Sequence, residues 1–277
     1  LPAPPHSPKG PLSRVALVAE EARALVSVPP APLAPAFTGI ARHIAALLPD
    51  GAALQFGIGN VQQAILTELA GRKGLSIHSG IVSDPVLGLL DADPDLQVTT
   101  GVAVGPAALY DRLAHEPRVR FLPVSETHTL ARLAALPRFT AINSVLEVDL
   151  LGQANAEFIR GRQVSGTGGL TDFLRGARAS EGGVGITALV STAAGGTVSR
   201  IVPRLADSAV TVTRADIDVV ITEHGAARLT HLMFETRARQ LLDGMSPADA
   251  MGYLSGLLIG ADVAAARDWF GPMDAVT

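Results

Sequence analysis

Four short stretches of the chain carry residue types and spacings that could do chemistry. The first is 57–60 (GIGN), which follows an apolar run and precedes a helical pattern. Glycines at the start of a helix let a phosphate or carbonyl approach unpaired backbone N–H groups. The third glycine of a dinucleotide fingerprint is missing, because Gln62 occupies that position. The stretch is therefore either an anion-contacting turn or only a tight β–α turn.

The second stretch is 165–169 (SGTGG), ahead of a helical pattern at 170–178. Each glycine loses conformational entropy on folding, so three of them in four positions need a reason. One reason is a sharp, closely packed turn. The other is a set of backbone N–H groups aimed at a thioester oxygen or a phosphate.

The other two stretches contain carboxylates. Glu147 and Asp149 point to one face of a predicted strand, where they could serve acid–base chemistry or lie on a solvated edge. Glu223 and His224 follow an apolar strand, and strand ends are where sites of α/β proteins usually lie, although such a pair is often structural. The chain has no cysteine, and its other histidines lack metal-ligand spacing, so we expect no metal site.

Alternating strand and helix patterns position these stretches. Helical patterns cover 40–48, 61–69, 128–136 and 170–178, and Asn60 with Gln63 predicts an N-cap. Strands are predicted at 52–56, 75–79, 96–104, 118–124, 139–144, 146–151, 186–190, 197–202, 209–213 and 219–222. A hairpin turn is predicted at 152–155. The alternation predicts an α/β fold with an open, mostly parallel sheet flanked by helices.

Composition limits the possible partners and suggests two regions. Residues 1–38 are rich in proline and indicate a linker or the remnant of a missing upstream domain, and residues 39–277 form the predicted α/β domain. The net charge of −4 without a basic cluster argues against nucleic acid. The apolar segment 253–266 contains Asp262 and is too short to span a bilayer, so no membrane partner and a cytoplasmic location are expected.

Several stretches together resemble one enzyme family. They are, in chain order, 40–59, 142–153 (INSVLEVDLLGQ), 166–173 (GTGGLTDF), 191–203 (STAAGGTVSRIVP), 214–216 and 222–229 (TEHGAARL). Over about 40–245 the chain resembles the C-terminal, coenzyme-A-binding half of the acetyl-CoA hydrolase/transferase family. This is the 4-hydroxybutyrate CoA-transferase-like branch of the class I CoA-transferases, whose fold is a pair of open α/β domains.

The resemblance implies an acyl-CoA hydrolase or CoA-transferase that acts on a small acyl-CoA such as acetyl-CoA, with water or a carboxylic acid as acceptor. In the family a glutamate attacks the thioester and becomes a glutamyl-CoA thioester. Gly168 and Gly169 would border the thioester and supply an oxyanion donor. The residues that would contact coenzyme A are Gly57, Ile58, Gly59, Asn60, Asn143, Gly168 and Gly169.

Two positions depart from the family pattern. The nucleophilic glutamate aligns with Gly80, which has no side chain to attack with, and the lysine of several members is Ala194. Catalysis would then run through a water positioned by Glu147 or Glu223, which favours hydrolysis. The alternatives are a catalytically impaired CoA-binding protein, or a subunit that needs a separate partner carrying the upstream domain. A homodimer is the expected assembly.

Overall fold

The computed structural model describes residues 4–21, 23–29, 32–227 and 246. Its helices are α1 (Pro35–Leu47), α2 (Asn60–Glu68), α3 (Val86–Ala92), α4 (Ala107–Leu113), α5 (Val124–Thr127), α6 (Leu130–Ala134) and α7 (Leu170–Ala179). Single 3-10 turns lie at Leu12–Arg14 and Ala194–Gly196. Residues 228–229 of the 222–229 motif, the apolar segment 253–266 and the end of the predicted domain 39–277 lie outside the described residues.

The strands are short and most belong to one sheet. They are β1 (Ala53–Phe56), β2 (Ser76–Val82), β3 (Gln97–Ala103), β4 (Val119–Phe121), β5 (Phe139–Ser144), β6 (Glu147–Asp149), β7 (Ala154–Asn155), β8 (Phe158–Ile159), β9 (Arg162–Gln163), β10 (Val184–Ala188), β11 (Thr192–Ala193), β12 (Val198–Ser199), β13 (Ile201–Val202), β14 (Val219–Thr222) and β15 (Gly225–Ala227).

The main sheet has eight strands in the order β15-β14-β10-β5-β1-β2-β3-β4. Its neighbouring strands run parallel except for β14 and β15. The chain builds outward from β1 through β4 and then returns to β5 on the other side of β1. That reversal is a topological switch point, where ligands of α/β proteins bind outside the carboxyl ends of the strands. The predicted α/β fold with a mostly parallel sheet is confirmed.

Side chains of β5 show how the sheet separates two apolar layers. Phe139 and Ala141 belong to a buried cluster with Phe173 and Leu174 of α7, whereas Ile142 points to the opposite face. The opposite face packs against α1 and α2 through buried side chains that include Ile40. Because successive side chains of a strand alternate, one short strand contributes to both layers. None of the helices in the described part of the chain combines the length and hydrophobicity needed to cross a bilayer.

Several predicted boundaries were wrong. The cap of α2 is Gly59 and not Asn60, and no side chain caps this helix. The strand predicted at 118–124 ends at Phe121, because α5 begins directly after Pro123. The strand predicted at 197–202 is divided at Arg200. The one predicted at 209–213 is reduced to a single bridge between Val212 and Ala154.

The hairpin predicted at 152–155 is confirmed by antiparallel pairing of β6 and β7. Asp149 is buried and holds the turn, since its carboxylate accepts hydrogen bonds from the backbone N–H groups of Leu151 and Gln153. Its carboxylate also accepts one from the side chain of Gln153. The solvated-edge interpretation was therefore wrong for Asp149, whose carboxylate stabilises the turn.

A buried carboxylate, Glu116, fixes the edge of the sheet beside β4. It accepts hydrogen bonds from Arg118 at 2.8 and 2.9 Å and from Arg112 at 3.2 Å. Arg118 also donates to the carbonyls of Leu90 and Asp93 near the end of α3. The hydrogen bonds from Arg118, more than those from Arg112, lower the pKa of Glu116 to about 2. The ionised carboxylate thus links the end of α3 to the start of β4.

We expect Glu116→Gln to lower the free energy of unfolding at pH 7 by about 2–3 kcal/mol, because the guanidinium groups of Arg112 and Arg118 lose their buried anionic partner. The folded-state pKa of Glu116 lies below its ordinary 4.5, so its contribution is present above pH 4.5 and is lost as the pH falls towards 2. Urea unfolding at pH 7 and pH 3 should show a smaller acid-induced loss for the variant than for the wild type. Asp50→Asn, at a salt bridge whose carboxylate is fully exposed, is the control and should unfold like the wild type.

Candidate active site

A cleft of about 460 Å³ lies at the switch point of the sheet. It is bordered by the carboxyl ends of β1 and β5, by the middle of β2 and by the turn that precedes α7. Two of the four candidate stretches, 57–60 and 165–169, contribute to its lining, which includes Gln55, Gly57, Ile58, Gly80, Val102, Val124, His128, Asn143, Ser144, Ser165, Gly166, Thr167, Gly168, Gly169 and Phe173. Parallel strands therefore bring segments more than a hundred residues apart in the chain to one site.

The floor of the cleft contains a reciprocal amide pair. Asn143 at the end of β5 donates to Gln55 of β1 at 2.9 Å, and Gln55 donates back at 3.2 Å. Both side chains are buried, so each amide satisfies hydrogen-bonding groups of the other that would otherwise be costly to bury. Asn143, a predicted contact of coenzyme A, thus lies in the floor of the cleft, and its amide is held in a defined orientation.

Only the first two residues of the turn at 57–60 line the cleft. Gly57 and Ile58 line it, and the Ile58 side chain is 60% exposed there. Gly59 has φ +113 and ψ −167, a backbone conformation that only glycine adopts readily. Asn60 begins α2 and is not among the residues that line the cleft.

The glycine turn at 166–169 supplies backbone donors. Gly168 has φ +54, and Gly169 is the N-cap residue of α7. Within the described residues no acceptor pairs with the backbone N–H of either glycine. A helix N-terminus with free N–H groups favours negative charge, so this turn can stabilise an oxyanion that forms in the cleft.

The space beside Gly80 is filled by the imidazole of His128. A Cβ atom at position 80 would lie 2.8 Å from Cε1 and 2.9 Å from Nε2 of that ring. The same ring closes the space beside Gly169, where a Cβ atom would lie 2.5 Å from Nε2. Such distances are shorter than van der Waals contact. Gly80, the position where the sequence resemblance predicts the family's glutamate, therefore faces an imidazole.

Two contacts and the surroundings define the state of His128. Its Nδ1 lies 2.7 Å from the Thr127 hydroxyl, and its ring centroid lies 4.5 Å from that of Phe173. Burial lowers the pKa of His128 below its ordinary 6.5, and the nearby Asp172 carboxylate opposes this effect. The ring is therefore neutral near pH 7 and able to accept a proton.

Glu147 and Glu223 both lie outside the cleft. Glu147 accepts a hydrogen bond from Asn155 at 3.1 Å in the β6–β7 hairpin. Glu223 accepts from the backbone N–H of Ser191 at 2.8 Å and from its hydroxyl at 2.7 Å, which ties together the ends of β10 and β14. No carboxylate is found among the cleft residues in the part of the chain that the structure describes.

Ala194 lines a second, smaller pocket of about 220 Å³. The same pocket is lined by Glu147 and by two cations, Arg160 and Arg200. Arg200 donates to the carbonyl of Leu146, while its Nε is buried and has no partner among the described residues. Position 194 has no cationic side chain, but two arginines, Arg160 and Arg200, line the pocket that Ala194 lines. The described residues contain no cluster of histidine and acidic side chains that could hold a metal ion.

The model of the acetyl-CoA hydrolase/transferase C-terminal domain matches residues 105–252. The chain belongs to the acetyl-CoA hydrolase/transferase family. It is 36% identical to the 4-hydroxybutyrate coenzyme A transferase of Clostridium kluyveri, over 85% of this chain and 57% of the relative. It is 30% identical to the acetyl-CoA hydrolase of Neurospora crassa, over 69% of this chain and 37% of the relative.

Solved structures support the same family. RipA from Yersinia pestis superposes with a TM-score of 0.73 at 31% identity, over 88% of this chain and 56% of RipA. The chain spans about half the length of curated relatives that it matches. The family resemblance stated from the sequence motifs is confirmed.

The sequence interpretation missed His128, Thr127, Gln55 and Phe173. His128 was placed at the start of a predicted helix and treated as one of several scattered histidines. Its position beside Gly80 follows from the packing of α5 against β2, which no local spacing reveals. One signal was available, because the resemblance aligns Gly80 with a bulky glutamate, and a nearby bulky group is expected to fill the space that a glycine leaves there.

Proposed function

We propose that this chain hydrolyses short-chain acyl-CoA thioesters by direct attack of water on the acyl carbon. The family supplies the thioester chemistry, and its members include enzymes named as acetyl-CoA hydrolases. The observation that carries the proposal is the pair of Gly80 and His128. A covalent route needs a carboxylate at the thioester, and none lines the described cleft.

The cleft offers the other parts that hydrolysis requires. The thioester oxygen would accept hydrogen bonds from the N–H groups of Gly168 and Gly169, which stabilise the oxyanion of the tetrahedral intermediate. The coenzyme would contact Gly57, Ile58, Gly59, Asn60 and Asn143, as the resemblance implies. Exposed apolar side chains of Ile58, Val102 and Val124 line the same cleft and suit a short acyl chain.

Hydrolysis and transfer differ in their need for a second substrate. We expect the purified chain to release free thiol from acetyl-CoA or butyryl-CoA at the same rate with and without added acetate or butyrate. Mass spectrometry of the protein after incubation should show no coenzyme A adduct. Thiol release that depends on an added carboxylate, or a trapped adduct, would instead assign a transferase.

The absence of a side chain at Gly80 also supports a second candidate, a CoA-binding protein without turnover. Calorimetry with coenzyme A distinguishes the two, since this candidate requires binding together with no thiol release. A subunit that acts only with a separate upstream-domain chain would show neither until that chain is added. A homodimer and a cytoplasmic location stay predictions from the sequence.

A further inference from the structure

His128 is placed to exchange protons inside the cleft. Its Nε2 points towards the space beside Gly80 and Gly169, and it has no hydrogen-bond partner among the described residues. The ring is held from one side by Phe173 at a centroid distance of 4.5 Å. A free ring nitrogen that lies next to an oxyanion-stabilising turn meets the geometric requirement for a general base.

The hydroxyl of Thr127 faces the Nδ1 nitrogen of His128. The Thr127 hydroxyl is fully buried and lies 2.7 Å from Nδ1 of His128 and 3.4 Å from the carbonyl oxygen of Pro123. When the hydroxyl donates to that carbonyl, Nδ1 of the imidazole donates to the hydroxyl oxygen. The remaining nitrogen, Nε2, is then an unprotonated acceptor that faces the cleft.

We propose that His128 is the general base of the hydrolysis. Its Nε2 accepts a proton from the attacking water and returns the proton to the sulfur of coenzyme A. This inference rests on the proposed function. Thr127 acts through His128 and is a positioning residue.

The step balances without any further reactant. The water oxygen forms a bond to the thioester carbon while one of its protons moves to Nε2, and the carbonyl oxygen becomes an oxyanion at the N–H groups of Gly168 and Gly169. The carbon–sulfur bond then breaks, and the proton moves from Nε2 to the leaving thiolate. The products are free coenzyme A and the carboxylic acid, and the imidazole is neutral again.

The titratable groups that interact with His128 are Asp172 of α7 and His78 of β2, and Arg132 of α6 acts on His78. Burial of the ring outweighs the opposing carboxylate of Asp172, so the pKa of His128 lies below its ordinary 6.5. The rate should therefore rise with pH through an acid limb below pH 6.5 and then level off. Protonation removes the lone pair that accepts the proton of water.

The test compares His128→Gln with the wild type, using acetyl-CoA and butyryl-CoA from pH 5 to 9. We expect kcat to fall by about 10²–10⁴-fold, KM to change little, and the acid limb to disappear. His115→Gln replaces an exposed histidine on the surface after α4 and should keep the wild-type profile. Thr127→Val should cause a smaller loss and shift the acid limb, because it removes only the partner of Nδ1.

A His128→Gly variant separates catalysis from packing. Added imidazole should restore part of its thiol release, since the missing ring leaves a space beside Gly80. The proposal is overturned if His128→Gln keeps wild-type kcat or its acid limb, or if imidazole fails to restore a folded His128→Gly variant. Those outcomes overturn the role of His128 while hydrolysis itself stands. If the wild type releases no thiol at all, the proposed hydrolysis is overturned as well.

Discussion

Gly169→Ala is expected to lower thioester hydrolysis by at least about 100-fold, because displacing a reacting group by roughly 1 Å costs that much in rate. A Cβ atom at position 169 would lie 2.5 Å from Nε2 of His128 and 2.8 Å from Cε2 of Phe173. Neither ring can move freely, since the two pack against each other at a centroid distance of 4.5 Å and Phe173 belongs to the buried cluster. Either the imidazole or the glycine turn must therefore shift, and the thioester carbon lies between them in the proposed reaction.

The variant should also lose about 1–3 kcal/mol of unfolding free energy, which is typical when a packed site is overfilled. Urea unfolding and thiol release from acetyl-CoA measure the two effects. Gly88→Ala is the matched control, because nothing lies within 4 Å of a Cβ atom at that helical position. It should leave turnover unchanged and unfold no more easily than the wild type. A Gly169→Ala enzyme that hydrolyses at the wild-type rate would show that the ring does not occupy this space.

The alternation of apolar runs and helical patterns was enough to predict the fold. Buried strands such as β14 (VVIT) are almost entirely apolar, and flanking helices place apolar residues at helical spacing. The order of strands was not predictable, because pairing of β1 with both β2 and β5 depends on contacts that are distant in the chain. The sequence could therefore indicate that Gly57 and Asn143 lie at strand ends without showing that they share one cleft.

The candidate carboxylates illustrate why spacing alone could not identify the catalytic group. Glu223 follows a strand end, as a catalytic residue would, yet its oxygens are engaged by Ser191. His128 follows a short helix, and no motif surrounds it in the sequence. It lies 48 positions from Gly80 in the chain, yet folding brings the two into contact. Residue types restrict the chemistry that is possible, whereas tertiary packing decides which of them meet the substrate.

The contact between Gly80 and His128 also predicts how a covalent glutamyl-CoA intermediate could be introduced into this chain. Gly80→Glu alone should form little adduct, because its Cβ would lie 2.8 Å from Cε1 of His128 and 3.5 Å from Phe173. Combining Gly80→Glu with His128→Gly removes the obstructing ring and leaves a carboxylate beside the glycine turn. The carboxylate can then attack acetyl-CoA to give an anhydride and free thiolate, which reacts further to acetate and a glutamyl-CoA thioester.

We expect at least about tenfold more covalent adduct in the double variant than in Gly80→Glu, since relief of overpacking by 1–3 kcal/mol changes an equilibrium by that order. Intact-protein mass spectrometry after incubation with acetyl-CoA measures the adduct, and hydroxylamine should remove it. Gly80→Gln combined with His128→Gly is the matched control and should form none, because an amide is a poor nucleophile. Equal labelling of Gly80→Glu with and without His128 would mean that the imidazole does not exclude a side chain from position 80. The expected result would show that the His128 ring occupies the space beside position 80, as the proposed attack by water requires.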